Sequence, residues 1–251
     1  MALTIYGDFT NPLSWVASTR TDALVGAGTN VQWRAVAGRH TLTVTSVPAD
    51  RQLTNLVDEV GHWHDTTALS GEPKYRAAPA LHPNPIPAAS AYAEAVGAGV
   101  SDHVRYLLFD SYWRRGQDIG TPDILRHLLV LPMLRGHSPS DVIEHEGYAV
   151  SIGGSPVTTA AWRLGRGWQQ EYESLAQSEL PVVVDGERVR CGFEALDYLG
   201  ALVRDAEATF PAGNPYPLPP MPVSAQWLSI GRPGRRPTWW EESPTASALS
   251  R

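Results

Sequence analysis

The hydrophobic pattern at the start of the chain alternates between strand-like and helical spacing. Residues 3–9 and 31–36 are short runs rich in β-branched and aromatic side chains, which predict strands. Between them the spacing is helical from Ser14 to Gly26. A strand, a helix and a second strand in so short a stretch form a βαβ unit, whose two strands are parallel because the chain crosses over between them.

The middle of the chain is almost entirely helical in its periodicity. Asp50 is a candidate N-cap for a helix that ends near His64. The proline-rich stretch 72–87 is expected to be an irregular connection without a helix. Several later helices are expected to begin with a Ser-Pro or Thr-Pro pair, in which a capping hydroxyl precedes a first-turn proline. The predicted helices cover residues 88–96, 101–115, 122–131, 139–149 and 156–176.

Strand periodicity returns near residue 180. The runs 182–185 and 188–191 are joined at Asp185-Gly186, and an Asp-Gly pair between β-rich runs predicts a tight hairpin. An amphipathic helix is expected from 193 to 206. An antiparallel hairpin added to a βαβ unit gives a mixed sheet of about four strands with helices on both faces. The sequence therefore predicts an α/β fold.

The order of these elements also predicts the domain organisation. Residues 1–48 and 180–210 would form one βαβ plus ββα domain, and residues 49–179 a large all-helical insertion. The composition changes again in residues 211–251, a proline-dense tail that cannot form a core by itself. We expect part of the tail to pack on the body or on a partner, because its tryptophans would otherwise lie in solvent. Those tryptophans are Trp227, Trp239 and Trp240.

Composition and charge exclude several classes of function. Hydrophobic residues make up 43% of the 251 residues and the formal net charge is −6, so we expect a packed core and no nucleic-acid partner. No run of about 18 apolar residues is present, and the first residues lack a basic segment followed by an apolar one. We therefore expect no membrane span and no signal peptide, and a cytoplasmic location.

Cys191 is the only cysteine in the sequence. One thiol cannot form an internal disulfide, a CxxC redox pair or a four-thiolate zinc site. We interpret Cys191 as a small buried hydrophobic residue in a strand, with a reactive thiol as the alternative.

Three sequence stretches resemble the DsbA-like branch of the thioredoxin superfamily. They are YGDFTNPLSW at residues 6–15, LFDSYWRRGQDIGTPDIL at 108–125 and SELPVVVDGERVRCG at 178–192. The second is similar to the inserted domain of 2-hydroxychromene-2-carboxylate isomerases, kappa-class glutathione transferases and FrnE-type proteins. The resemblance implies a thioredoxin-like fold with a large inserted helical domain.

The resemblance also aligns Asn11 and Ser14 with the two cysteines of the oxidoreductases. Neither an amide nor a hydroxyl undergoes thiol–disulfide exchange, so the chain should not be a dithiol oxidoreductase. In the isomerases and kappa transferases a serine at the first position binds the glutathione sulfur. Asn11 and Ser14 are therefore candidate catalytic donors to a thiolate or an enolate. The alternative is that Asn11 makes a local turn and Ser14 caps the first helix.

The third stretch places Leu180-Pro181 where the family has a cis-proline facing the active turn. The resemblance implies that the backbone of Leu180 pairs with the peptide portion of a bound thiol ligand. The cofactor-binding residues would then be Asn11, Leu180 and Pro181, unless the proline only maintains the shape of the fold. No metal is expected, because His62 and His64 are two apart and point to different faces of a helix.

The leading functional hypothesis is an isomerase- or transferase-like enzyme that acts on a small organic substrate. Its candidate cofactor is glutathione or another low-molecular-weight thiol, bound at the Asn11 turn. The alternative is a non-catalytic DsbA-like binding or accessory protein. A homodimer is also considered, because related proteins often pair.

Overall fold

The structure is a computed structural model, which describes residues 2–38, 45–74, 79–138 and 140–218. Its strands are β1 (Leu3–Gly7), β2 (Val31–Ala35), β3 (Val47–Pro48), β4 (Leu81–His82), β5 (Val182–Asp185) and β6 (Arg188–Cys191). Its helices are α1 (Pro12–Gly26), α2 (Arg51–Thr67), α3 (Pro85–Gly97), α4 (Ser101–Phe109), α5 (Pro122–Arg135), α6 (Asp141–Glu146), α7 (Thr159–Ser174) and α8 (Gly192–Asp205). A π-helical turn, Asp110–Arg114, continues α4.

The main sheet has the strand order β2-β1-β5-β6. Strand β1 is parallel to β2 and antiparallel to β5, with Tyr6 opposite Val182 at the end of the β1–β5 ladder. The hairpin of β5 and β6 is antiparallel, with Asp185 opposite Arg188. The four-stranded mixed sheet predicted from the sequence is thus confirmed.

The core forms on the sheet because its central strands are covered by helices. Ile5, Val182 and Val183 are fully buried. Helix α1 packs against α8, and the inserted helices α3 and α7 pack against the edge strand β2. This arrangement places the insertion beside β2, where it can form a cleft with the sheet.

Two buried ion pairs fasten α1 to other parts of the chain. The Arg20 guanidinium donates to both carboxylate oxygens of Glu72, at 2.8 and 3.0 Å. Arg105 of α4 donates to Asp22 at 2.8 Å, and the Tyr216 hydroxyl donates to the same carboxylate at 2.7 Å. Residue 216 of the tail therefore packs on the body, whereas the three tail tryptophans, Trp227, Trp239 and Trp240, lie outside the described residues.

The expectation of an irregular stretch up to residue 87 is wrong, because α3 begins at Pro85. Asn84 is the N-cap, and its side chain accepts a hydrogen bond from the Ile86 amide at 3.0 Å. Pro85 and Pro87 lie in the first turn, where a helix has no use for backbone N–H donors. The prolines therefore start this helix instead of preventing it.

The predicted Ser-Pro and Thr-Pro caps are mostly wrong. Helix α7 begins three residues after Pro156, and Thr158 caps it by accepting from the Ala161 amide at 3.1 Å. Helix α6 begins after Ser140, although Pro139 itself lies outside the described residues. Thr121 does precede α5, but its hydroxyl donates to Asp118 at 3.0 Å and does not cap the helix.

Two further details of the insertion differ from the sequence prediction. The stretch 101–115 is not one α-helix, because it becomes π-helical at Asp110. The insertion is also not all-helical, since it contributes β4 to a two-stranded antiparallel pair with β3. In the described part of the chain, no helix combines the length and apolar character needed to cross a membrane.

Candidate functional site

The Asn11 turn connects β1 to α1. Asn11 has extended backbone angles and is the N-cap of α1, and its Oδ1 accepts a hydrogen bond from the Ser14 amide at 2.9 Å. Pro12 follows as the first helical residue, where its missing N–H costs nothing. Asn11 is half-buried, and no partner is found for its side-chain NH₂ among the residues that the structure describes. The turn therefore keeps one free donor group at a helix N-terminus.

Ser14 lies inside the protein. It is fully buried, and its Oγ accepts a hydrogen bond from the Asp8 amide at 3.2 Å. Its hydroxyl therefore links the first turn of α1 to the end of β1. Ser14 is not the N-cap of the helix, and its full burial favours a structural role over that of a donor to a ligand.

The buried carboxylate of Asp8 fixes the conformation of the turn by accepting hydrogen bonds. It is 1% exposed, and its Oδ1 accepts from both the amide and the hydroxyl of Thr10 at 2.8 Å. Its Oδ2 accepts from the amide of Gly38, which follows β2, also at 2.8 Å. One buried carboxylate thus ties the turn after β1 to the loop after β2. Sequence reasoning missed this residue, because nothing in its local pattern shows where its oxygens point.

A cleft of about 540 Å³ opens at the turn, and we call it the turn cleft. Thr10, Asn11 and Pro12 form one wall. The opposite wall comes from α2, whose N-cap Asp50 accepts from the Leu53 amide at 2.8 Å, and from His82 of β4. The α2 side of the cleft is polar and carries both signs of charge. Its side chains there are Asp50, Arg51, Gln52, Leu53, Asn55, Leu56 and Glu59.

Leu180 and Pro181 lie at the same end of the sheet as the turn. Their peptide bond is cis, as the family resemblance implies. Both residues are buried, and they lie just beyond the Tyr6–Val182 pair that ends the β1–β5 ladder. Neither residue lines the turn cleft, which instead brings Asn11 together with α2.

Cys191 is the last residue of β6, opposite Val182. It is half-buried, not fully buried as the sequence interpretation has it. Burial raises the pKa of its thiol, and the nearby Glu179 and Glu194 carboxylates raise it further. Cys191 is therefore a poor nucleophile at neutral pH.

His62 and His64, for which no metal site is expected, lie in two different environments. The exposed His62 is bonded through Nδ1 to the Asp58 carbonyl at 2.7 Å. His64 is buried, with Nε2 3.9 Å from Glu72, and burial lowers its pKa. Within the described ranges, no group of three His, Cys, Asp or Glu side chains is arranged to hold a metal ion.

A second and larger cavity of about 820 Å³ lies between α3, α7 and the end of β2, and we call it the α3–α7 groove. Its β2 side ends at Gly38, the residue that donates to Asp8. The residues that line it are Ala35, Val36, Ala37, Gly38, Ile86, Ala89, Ser90, Ala93, Ser155, Pro156, Ala161, Trp162, Gly165, Arg166, Gln169 and Glu173. None of these residues is among the catalytic and cofactor-binding residues predicted from the sequence, which are Asn11, Ser14, Leu180 and Pro181.

Comparison with known proteins identifies the fold. No protein-family model and no curated protein matches the chain. Among solved structures, a probable DsbA oxidoreductase from Streptomyces coelicolor gives a TM-score of 0.59 at 15% identity, covering 86% of this chain and 99% of that one. The cytosolic disulfide reductase DsbM from Pseudomonas aeruginosa, solved with GSH, gives 0.54 at 15% identity, covering 82% and 98%. A 2-hydroxychromene-2-carboxylate isomerase gives 0.55 at 17% identity, with coverage of 82% and 98%.

These similarities establish a DsbA-like, thioredoxin-type α/β fold over most of the chain, as the sequence predicts. The identities are too low to carry an activity from one protein to another. With a single cysteine, this chain cannot contain the internal cysteine pair of a dithiol oxidoreductase.

Proposed function

We propose that this protein is a DsbA-like enzyme without dithiol chemistry, which acts on a small organic substrate with a low-molecular-weight thiol bound at the Asn11 turn. The observation that carries the proposal is the turn cleft, which is lined by Asn11, a residue whose side-chain NH₂ group has no partner in the described part of the chain. Glutathione is the candidate thiol, since DsbM has the same fold and was solved with GSH.

Asn11 would serve two purposes at the turn. Its Oδ1 caps α1, while its NH₂ is available to donate to a thiolate sulfur. The N-terminus of α1 adds a partial positive charge there, which favours the thiolate over the thiol. A thiolate held at this point supplies the nucleophile: its sulfur adds to an electrophilic carbon of the substrate as the π electrons of that carbon move onto the rest of the substrate. In an isomerisation the C–S bond breaks again after rearrangement and the thiolate is released. In a transfer the C–S bond remains, and the adduct either takes up a proton or expels a leaving group from the same carbon.

The α2 wall of the cleft suits a thiol that carries both a carboxylate and an ammonium group. Arg51 and Glu59 lie eight residues apart on α2, which corresponds to about 12 Å along the helix axis. Both side chains are exposed and line the cleft, so they are available to a carboxylate and an ammonium group of one ligand. Leu180 would pair its backbone with the peptide portion, and Pro181 would hold that segment, if the ligand extends past the cleft toward β5.

The decisive experiment is calorimetric titration of glutathione into the full chain and into Asn11→Asp. Aspartate caps a helix about as well as asparagine, so α1 should remain intact. It lacks the NH₂ donor and adds a negative charge beside the sulfur, so we expect affinity to fall by about tenfold or more, the equivalent of one lost charge-assisted hydrogen bond.

Asn55→Asp is the matched control for that experiment. Asn55 lines the same cleft from α2, so the substitution adds the same charge away from the cap. We expect its affinity to stay near that of the wild type. Wild-type protein that binds none of several low-molecular-weight thiols would refute the proposal, and so would equal affinities for wild type and Asn11→Asp. Insulin-reduction activity is expected to be absent.

A non-catalytic binding protein is the second candidate function. The full burial of Ser14 favours it, because the turn then offers a ligand one donor and no nucleophile of its own. Conjugation of glutathione to 1-chloro-2,4-dinitrobenzene separates the two candidates. Acceleration that Asn11→Asp loses supports the enzyme, whereas thiol binding without any acceleration of a panel of electrophiles supports the binding protein.

A further inference from the structure

The α3–α7 groove exists because small residues face each other across it. Ala89 and Ala93 are one helical turn apart on α3, and Ala161 and Gly165 are one turn apart on α7. A cavity of about 820 Å³ is left where larger side chains would fill the space between the helices. Pockets that bury small organic ligands measure about 300–1,000 Å³, so this one has room for a ligand of drug-like size.

The walls of the groove are fixed by hydrogen bonds at both ends. The Glu94 carboxylate of α3 accepts from the amide and the hydroxyl of Thr158, at 2.5 and 2.8 Å, at the start of α7. About three turns further along α7, the Gln169 amide both accepts from the Ala37 N–H at 3.0 Å and donates to the Ala37 carbonyl at 3.3 Å. The groove is therefore held open before any ligand arrives, which lowers the entropic cost of binding.

Among the buried residues that line the groove, Ser90 is the one with a polar side chain. Ser90 is 7% exposed, and in the described part of the chain its hydroxyl has no hydrogen-bonding partner. The Ser90 Oγ keeps some contact with solvent in the groove, so a ligand acceptor or donor can take the place of water as its hydrogen-bonding partner. The other residues that line the depth of the groove are alanines and Val36.

Two charged side chains lie at the solvent-exposed edge of the groove, and their charges are of opposite sign. Arg166 and Glu173 are both exposed and have opposite charges. The Arg166 guanidinium lies over the Trp162 ring, 5.2 Å from its centroid, and Gln169 donates to Glu173 at 3.1 Å. A charge placed in the depth of the groove would therefore lose its hydration without gaining a buried counter-ion.

Large apolar side chains at the same edge remain exposed. Trp162 is 49% exposed and Ile86 is 40% exposed, on opposite walls. Exposed apolar side chains that line one cavity are typical of a ligand site, whereas scattered ones are ordinary. Their rings and methyl groups could cover a ligand whose body occupies the space between the alanines.

We infer that the α3–α7 groove binds an uncharged, largely apolar small molecule with one polar group that reaches Ser90. That this molecule is the substrate rests on the proposed function, because Gly38 connects the groove to the Asp8 carboxylate beneath the Asn11 turn. The binding itself requires no thiol.

The test uses two dyes that differ by one charge. N-phenyl-1-naphthylamine is uncharged, and 8-anilinonaphthalene-1-sulfonate has the same rings with an added sulfonate. Fluorescence titrations of the full chain without thiol should show at least tenfold tighter binding of the uncharged dye. Equal or tighter binding of the sulfonate would overturn the chemical class that we infer, and no binding of the uncharged dye would overturn the site.

Two glycines of α7 provide the matched pair of variants. A Cβ on Gly165 or on Gly167 meets no other atom within 4 Å, and only Gly165 lines the groove. Leucine is a better helix former than glycine, so both variants should fold, which thermal unfolding would verify. Gly165→Leu should weaken binding of the uncharged dye at least tenfold, and Gly167→Leu should change it less than twofold. Equal binding by the two variants would place the dye elsewhere and overturn the proposal.

Asn11→Asp separates this inference from the proposed function. It alters the turn cleft and leaves the groove untouched, so it should bind the uncharged dye with wild-type affinity. If the chain binds the dye in the groove but no thiol at the turn, the groove site stands while the thiol-dependent function fails. If Asn11→Asp loses the dye as well, the two sites are not separate and the groove inference is wrong.

Discussion

The hydrogen bond from the Gly38 amide to Asp8 connects the turn cleft with the α3–α7 groove, and the two sites are built in different ways. At the turn, nearly every polar atom has a specified partner: Asp8 accepts three hydrogen bonds and Asn11 caps α1. In the depth of the groove, the defining feature is the small size of the side chains, which are mostly alanines together with Ser90. The first site is defined by directional contacts and the second by shape.

This difference explains why a thioredoxin-type turn persists without cysteines. The turn needs an N-cap acceptor and a buried acceptor for the Asp8 amide, which Asn11 and Ser14 supply. Neither requirement involves a thiol, so the geometry of the turn does not depend on redox chemistry. A ligand site can therefore remain at the turn even though the chemistry of a cysteine pair is impossible there.

Substitution of Asp8 should have the largest effect, because it disturbs both regions together. Asp8→Ala leaves two backbone amides and the Thr10 hydroxyl without their buried acceptor. Since each unsatisfied buried group costs about 1–3 kcal/mol, we expect the free energy of unfolding to fall by about 3 kcal/mol or more, measured by urea denaturation. Glutathione and the uncharged dye should both bind more weakly.

Thr10→Val is the control for that prediction. It removes one of the three donors and leaves the carboxylate with the other two, so the free energy of unfolding should fall by only about 1 kcal/mol. If Asp8→Ala were no more destabilising than Thr10→Val, the buried carboxylate would not be the element that joins the turn to the groove.

The N-cap of α1 should contribute less than Asp8 to the free energy of unfolding. Asn11→Ala removes the acceptor for the Ser14 amide, and loss of an N-cap side chain costs about 1 kcal/mol. Asn11→Asp retains an acceptor and should cost almost nothing, although both variants lose the NH₂ donor. Thermal unfolding should therefore show Asn11→Ala as the less stable variant. Glutathione should bind more weakly to both variants, and most weakly to Asn11→Asp, because only aspartate adds a negative charge beside the sulfur. Equal stability of the two would show that capping does not maintain the turn.

The fold was largely predictable because its strands carry strong local signals. The runs at β1, β2, β5 and β6 have the expected composition, and Asp185-Gly186 fixes the hairpin. The errors occur where the meaning of a residue depends on position within an element. Pro85 is a helix breaker in the interior but a favourable residue in a first turn, and a sequence cannot show which applies until the cap at Asn84 is known.

The candidate site was predictable only in part, for a related reason. Family resemblance selected Asn11, Ser14, Leu180 and Pro181 together, but local spacing could not show that Ser14 is buried or that the cleft faces α2. The groove depends on which faces of α3 and α7 meet, although about 60 residues separate the two helices in sequence, and long-range packing decides this. The available signal was the helical repeat of small residues, which is also typical of ordinary close helix packing.

The smallest predicted effect is a change in stability, and it tests whether the space beside Gly165 in the groove is unoccupied. Gly165→Ala adds one methyl group at a helical position where nothing lies within 4 Å, so it should relieve the entropic cost of glycine without a clash. Such substitutions stabilise by about 0.5 kcal/mol, and the control Gly167→Ala should gain a similar amount, because its Cβ is equally free. Both variants should also retain the uncharged dye, because one methyl group occupies only a small part of an 820 Å³ cavity, in contrast to the larger side chain of Gly165→Leu. A destabilised Gly165→Ala beside a stabilised Gly167→Ala would mean that α3 and α7 are in contact at this point, and the shape-defined site would then be absent.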